Sequence, residues 1–247
     1  MDTEFDSALA RKLNSFVEMS KDERGILVDL QSNRITFKRG QTFIDEGQAD
    51  HKAFFLQTGW GCSFKILPNG GRQVIRFPIP GDCVGLRSIL LRTSDHTVSA
   101  LNDVVVSAVE APRMLEIINK FPRLGAAFLW AVSQDEAMVV EHLVNIGRRT
   151  AQERMAHFFL ELAERLKLVG LATETQFEHP LNQSLIADVL GLSDIHVNRV
   201  LRQLREQDLL TVREGKVSIH DLSGLRKLAG YHSAHGSGQH LFPTNTG

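Results

Sequence analysis

The sequence predicts an α+β fold: an N-terminal antiparallel β-roll of jelly-roll type, then one long helix, then a C-terminal winged helix-turn-helix. Three observations predict it. Short β-rich runs alternate with glycine turns from about Asn33 to Ala111, a helical periodicity runs from Phe121-Pro122 to Ile146, and residues 182–207 hold two helix-length segments hinged on Gly191. The expected organisation is a β-roll with a leading helix over 1–120, the long helix over 121–148, the winged helix-turn-helix over 149–231 and a disordered tail over 232–247.

The 247 residues, 43% hydrophobic and 23% charged, have the composition of an ordinary globular protein. The longest apolar stretches, Phe128 to Val132 and Ala137 to Val140, are separated by Ser133 to Glu136, far short of the ~20 apolar residues that span a bilayer. Acids precede the first apolar run at Asp2, Glu4 and Asp6, the reverse of a secretory leader, so a cytoplasmic protein is expected. Cys62 and Cys83 are too few for a disulfide framework and lack the spacing of a zinc or iron-sulfur site. No metal, cofactor or catalytic residue is expected: nucleophile-elbow, P-loop, paired-glycine dinucleotide and zinc-protease patterns are missing from the sequence. With a formal net charge of −1, any attraction to nucleic acid must come from a local basic face.

Ala8 to Arg24 forms a hydrophobic, helical lead. Strands are expected at Arg34–Phe37, Ala53–Leu56, Cys62–Leu67, Gln73–Phe77, Thr97–Leu101 and Val104–Val109. Pro68-Asn69-Gly70-Gly71 tolerates positive φ and sets a hairpin between two of them. In the long helix, Leu124, Phe128, Ala131, Asp135, Met138 and His142 recur at spacings of three and four. Such a stripe suits a seam between two copies or, equally, a helix docked on its own domain. A second helix follows over Thr150 to Lys167, ending near Val169-Gly170. In the tail, His232, His235 and His240 have no rigid frame and are expected to be solvated.

Asn182 to Leu190 is a short helix with Leu185, Ile186, Val189 and Leu190 inward and the small Ala187 where a second helix must cross closely. Gly191 supplies the turn, Ser193 caps the next helix, and Val197, Val200, Leu201 and Leu204 form its inward stripe. That triple of Ala187, Gly191 and Val197 carries the spacing of a helix-turn-helix. Ser193, Asp194, Ile195, His196, Asn198, Arg199, Arg202 and Arg205 lie outward on the second helix. Arginine clamps guanine edges or phosphates and asparagine pairs with adenine. The N-terminal turn of such a helix meets bases, so Ile195, Asn198 and Arg199 (with His196 beside them) are assigned to bases, Arg202 and Arg205 to phosphates. Two runs, Leu209–Val212 and Val217–Ile219, flank Arg213-Glu214-Gly215-Lys216 as a wing, whose Arg213 and Lys216 suit phosphate.

A glycine-punctuated β unit, a seam helix and a winged helix-turn-helix, in that order over residues 15–230, resemble the Crp/Fnr family of bacterial transcription regulators. The most specific segments are Gly81-Asp82-Cys83-Val84-Gly85, similar to the turn of the family's cyclic-nucleotide-type β-roll, and Gly191 through Arg199. The resemblance implies a homodimer joined along the long helix, which puts the seam reading of Leu124, Phe128, Ala131, Asp135, Met138 and His142 ahead of the docked one, bound to double-stranded DNA with two reading helices in successive major grooves of a near-palindromic promoter site. It also implies contact with RNA polymerase if the protein is an activator. An effector pocket, by the same resemblance, falls at Gly85, Leu86, His96, Thr97, Asp135 and Val139.

Departures from the family pattern concentrate in that pocket. Leu86 stands where cyclic-nucleotide-responsive members carry a ribose-binding glutamate, His96-Thr97 replaces their arginine-serine pair, and valines occupy Val139 and Val140. Losing the arginine removes a charge-assisted bond to phosphate. A regulator with an unknown or absent effector is therefore expected; the alternative is a cyclic-nucleotide-dependent regulator switched on through the β-roll. Redox members hold an iron-sulfur cluster on several N-terminal cysteines, whereas no cysteine precedes Cys62. Nothing recommends His51, His96 or Cys83 as haem ligands over ordinary surface or core residues. Asp194 and Ile195 replace an arginine and a glutamate of the cyclic-AMP receptor type while Arg199 is retained, so a different DNA sequence is expected.

Overall fold

The structure, a computed structural model, describes residues 6–49, 52–91 and 93–231. The expected tail over 232–247 and His51 lie outside the described residues. Two compact units form among the described residues: one holds 6–65 with Arg76–Glu136, the other Ile66–Ile75 with 137–231.

In the first unit the single leading helix expected over Ala8 to Arg24 is two helices, α1 (Ala8–Asn14) and α2 (Lys21–Leu30). The break has a local cause. Ser20 accepts from the backbone of Glu23 while the Glu23 carboxylate accepts from the backbone of Ser20, a capping box that starts a new helix.

The strands are β1 (Arg34–Phe37), β2 (Thr42–Ile44), β3 (Lys52–Thr58), β4 (Gly61–Ile66), β5 (Arg72–Arg76), β6 (Cys83–Val84), β7 (Thr97–Ala100) and β8 (Val104–Glu110), with α3 (Leu86–Leu91) between β6 and β7. They pair in two sheets, β1-β8-β3-β6 and β2-β7-β4-β5. Phe43 and Ile44 of β2, Val98 of β7, Phe54 and Leu56 of β3 and Val104 and Val106 of β8 make one core, so strand alternation turns one face of each sheet inward. A glycine is required at Gly59 (φ +83), where a Cβ would stand 2.3 Å from the Asp103 carbonyl oxygen. The other face of β3 and β8, through Phe55 and Val109, packs on α1, α2, α4 (Ala111–Lys120) and the first half of α5 (Pro122–Arg148). Two of the ion pairs in this unit are largely shielded from solvent. Lys12 meets Asp82 at 2.6 Å with both side chains buried, and Arg76 meets Asp135 at 2.7 Å.

The second unit is organised around α6 (Ala151–Leu168), which Thr150 and Glu153 start with another capping box. Its Met155, Phe159, Leu162 and Leu166 are buried. Around it stand β9 (Gln176–Glu178), α7 (Gln183–Leu190), α8 (Asp194–Glu206), β10 (Leu210–Arg213), β11 (Lys216–Ile219) and α9 (Leu222–Ala229). The three strands form one antiparallel sheet in the order β10-β11-β9. The β4–β5 turn also belongs to this unit: Arg72 Nε donates to Asp188 of α7 at 2.9 Å, and Gln73 Nε2 to the Asp188 carbonyl at 3.1 Å.

Candidate nucleic-acid interface

The interface is built from α7, α8 and the turn between them. Asn182 caps α7 by accepting from the Leu185 amide at 2.9 Å, and Gly191 ends it in the left-handed region (φ 62, ψ 41), where the amides of Gly191 and Leu192 both return to the Ala187 carbonyl. Ser193 then starts α8 by accepting from His196 at 3.3 Å. Ala187, Val197, Val200 and Leu204 are buried between the two helices and their neighbours, so α8 has one fixed face inward and one free face outward.

That outward face carries Asp194, Ile195, Asn198, Arg199, Arg202 and Arg205, all exposed, with Ser193 at its start and His196 half-buried at its edge. Ile195 is 83% exposed, a large apolar side chain left in water at the N-terminal end of the helix. Asp194 accepts from Ser184 of α7 at 2.8 Å, and Arg202 lies 3.7 Å from Glu206 one turn on. Beyond α8, β10 and β11 pair with Arg213 opposite Lys216 across a tight turn at Glu214 (φ 49) and Gly215 (φ 75). These dihedrals are those of a type I′ hairpin. Sequence reasoning missed β9, which pairs Glu178 with Lys216 and Phe177 with Val217 and so anchors the wing; at three residues it has too little alternation to see. It also missed Gln183, whose side-chain amide exchanges two hydrogen bonds with that of Asn198 across 15 residues of sequence.

One arginine holds the helix ends behind this surface. Arg154 of α6 donates to the carbonyls of Leu190 at 2.5 Å, Ile146 at 3.2 Å and Arg149 at 3.1 Å, the last turns of α7 and α5 and the link between α5 and α6. Cations are favoured at helix C-termini, where carbonyls lack partners. Two histidines sit buried in the same unit. Burial pushes His157 down to about 4, with the Arg149 charge adding to it, and pushes His179 down to about 4 as well.

The long helix presents two faces. Leu124, Phe128 and Ala131 of the stripe read as a seam are buried in the first unit's own core, Asp135 pairs with Arg76, and Met138 and His142 are half-buried. The first half of the stripe, Leu124 to Ala131, is therefore a docked face. A second apolar face is exposed at Leu129, Val139, Val140 and Leu143, with Leu143 72% exposed.

Compared with known proteins, residues 34–121 match the family model of the cyclic nucleotide-binding domain and residues 153–228 that of the Crp-like helix-turn-helix domain. The chain belongs to the Crp/Fnr family. It is a DNA-binding transcription regulator. Among relatives, it is 25% identical over 214 residues to the transcriptional activator protein FnrA of Stutzerimonas stutzeri, covering 87% of each chain. It is 29% identical over 194 residues to the nitrogen fixation regulation protein FixK of Azorhizobium caulinodans, covering 78% of this chain and 77% of that one. The solved structure of FixK2 from Bradyrhizobium japonicum shares the fold with a TM-score of 0.72 at 24% identity, over 81% of this chain and 98% of that one.

The residues of this Crp/Fnr protein that were expected to line an effector pocket can each be located. Gly85 (φ +80) is required because a Cβ would lie 2.8 Å from the Lys52 carbonyl oxygen. Leu86 packs on the apolar core shared with α1 and α5. His96 Nδ1 lies 2.7 Å from Asp95, which also accepts from Arg87 at 2.8 Å, and Thr97 accepts from the Glu46 amide at 3.2 Å. Burial is the main force lowering the His96 pKa. Asp135 holds Arg76, and Val139 stands exposed on α5. A cyclic nucleotide brings a phosphate and a ribose diol, which need an unengaged cation and an acceptor; here Arg87 and Arg76 each face a carboxylate, and the acceptor position is leucine. The residues present do not fit that ligand. Cys83 beside them is half-buried, and desolvation with the neighbouring Asp135 charge pushes its thiol up to about 12, away from reactivity. Among the described residues no group of three or more His, Cys, Asp or Glu could hold a metal ion, and no helix is long and apolar enough to cross a membrane.

Proposed function

We propose that the protein acts as an effector-independent homodimer that docks two copies of α8 in successive major grooves of a near-palindromic promoter site. The outward face of α8 carries this reading: an exposed apolar residue, an amide and three arginines on one side of a helix whose other side is locked in the core. In this assignment Ile195, Asn198 and Arg199 meet base edges, Arg202, Arg205, Arg213 and Lys216 meet phosphates, and Ser193 and His196 line the approach. The dimer contact is the exposed face of α5 around Leu129, Val140 and Leu143, which leaves large apolar groups in water in a lone chain.

The Arg76–Asp135 pair supports independence from a small-molecule effector, since it joins the β-roll to α5 from within the chain. As an activator the dimer would also touch RNA polymerase. Selection of bound sites from random DNA, with and without cyclic AMP, tests the proposal. A palindrome with half-sites about one helical turn apart, enriched equally in both arms, is expected. Failure to enrich any motif overturns the reading, and enrichment only with the nucleotide overturns effector independence.

A further inference from the structure

The amide pair of Gln183 and Asn198 joins α7 to the outward face of α8. Gln183 Nε2 donates to Asn198 Oδ1 at 2.6 Å, and Asn198 Nδ2 donates back to Gln183 Oε1 at 2.8 Å. Both residues are exposed. Each amide therefore spends one of its two N–H groups and one of its two oxygen lone pairs on the other. What remains is set by the shape of such a ring. The free lone pair of Asn198 Oδ1 lies beside the free N–H of Gln183 on one edge, and the free N–H of Asn198 lies beside the free lone pair of Gln183 on the opposite edge. Asn198's own remaining donor and acceptor thus point to opposite sides, and it cannot clamp a base alone.

We infer that Gln183 is a specificity-determining residue: Gln183 and Asn198 together read one adenine in each half-site, the donor coming from one residue and the acceptor from the other. Either edge of the pair presents one donor next to one acceptor. In the major groove adenine presents the complement, an N7 acceptor next to the N6 amino donor. Guanine presents two acceptors, one of which would face an amide oxygen; cytosine presents a donor without the acceptor, and thymine an acceptor beside a methyl group. The pair is also preorganised, because each side chain is held by the other before DNA arrives.

This inference rests on α8 being the groove-facing helix, and the experiment separates the two. Bound sites are selected from random DNA with the full-length wild type, Gln183→Ala, Asn198→Ala and the double variant, each checked for unchanged circular dichroism. The expected result is an adenine in the wild-type half-site whose preference over the other bases falls about tenfold in each single variant, at the same position, with no further loss in the double variant. If only Asn198→Ala changes that position, or if Gln183→Ala weakens binding equally to all sequences and lowers its salt dependence, Gln183 holds a phosphate or nothing and the inference fails while α8 keeps its role. A wild type that selects no motif overturns both.

Discussion

Acid should loosen the DNA-binding unit first, through two buried histidines. His157 lies between Asn145, whose Nδ2 is 3.2 Å from its Nδ1, and Glu141, 3.3 Å from its Nε2, with the Tyr231 ring edge-on at 4.9 Å. His179 Nδ1 accepts from the Leu181 amide at 3.1 Å, so that nitrogen has no room for a proton in the folded chain. Both histidines fall from an ordinary 6.5 to about 4 in the folded chain, burial being the largest cause for each, and the Glu141 charge only partly opposes it for His157. The unfolded chain therefore binds protons that the folded chain refuses between those two values. The associated stability is fully present above 6.5 and is lost as pH falls toward 4. From about pH 7 to about pH 5, where most carboxylates stay ionised, the linkage relation gives about 2 kcal/mol for each histidine, about 4 kcal/mol for the two. Urea unfolding followed by circular dichroism at the two pH values measures it. A double variant, His157→Gln with His179→Gln, should lose most of that pH difference. A urea midpoint unchanged across the window, or a double variant with the full slope, would refute the reasoning.

Three further outcomes are expected. Leu143→Asp puts a charge on the exposed face of α5; because the proposed contact is two-fold, two leucines are lost at about 1.5–3 kcal/mol each, and analytical ultracentrifugation should show a dimer dissociation constant raised at least about a hundredfold with folding intact. Arg199→Ala should relax base preference at one half-site position at a cost of about 1–3 kcal/mol, whereas Arg205→Ala should weaken binding to all sequences and reduce the salt slope by about one; titrations over a salt series distinguish them. Asp135→Ala leaves the largely buried Arg76 guanidinium without its 2.7 Å partner; a loss of about 3 kcal/mol is expected in chemical denaturation, with most of it recovered in Arg76→Met/Asp135→Leu, where no charge is left behind.

Much of the fold is written in local signals. Arg34–Phe37 matches β1 residue for residue, and the other five expected strands fall within a residue or two of β3, β4, β5, β7 and β8, because each run holds β-branched or aromatic residues and is bounded by turn residues. The helix-turn-helix was equally visible, since Ala187, Gly191, Ser193 and Val197 each do one local job. What escaped depends on partners far along the chain or on very short elements. β2 and β9 span three residues each. The Ser20–Glu23 capping box that splits the leading helix was present in the sequence, but the apolar content of the segment suggested one helix. The stripe on α5 showed that a face is covered without showing by what: Leu124 and Phe128 meet α1, α4 and Phe55 of the same chain, and the exposed face lies about a third of a turn away. Gln183 was invisible because its significance lies in Asn198.

The three carbonyls gathered by Arg154 make the end of α5, the link that follows it and the end of α7 parts of a single joint. A planar guanidinium does not release such partners one at a time without leaving charge and carbonyl unpaired, so the joint is stiff until it gives altogether. In the proposed dimer, α5 sets where the two copies meet and α7 sets how α8 is aimed. The distance between half-sites on DNA is then gauged by a side chain engaged with three carbonyls of its own chain, and a change at Arg154 would be felt as tolerance of altered half-site spacing rather than as a changed taste for bases.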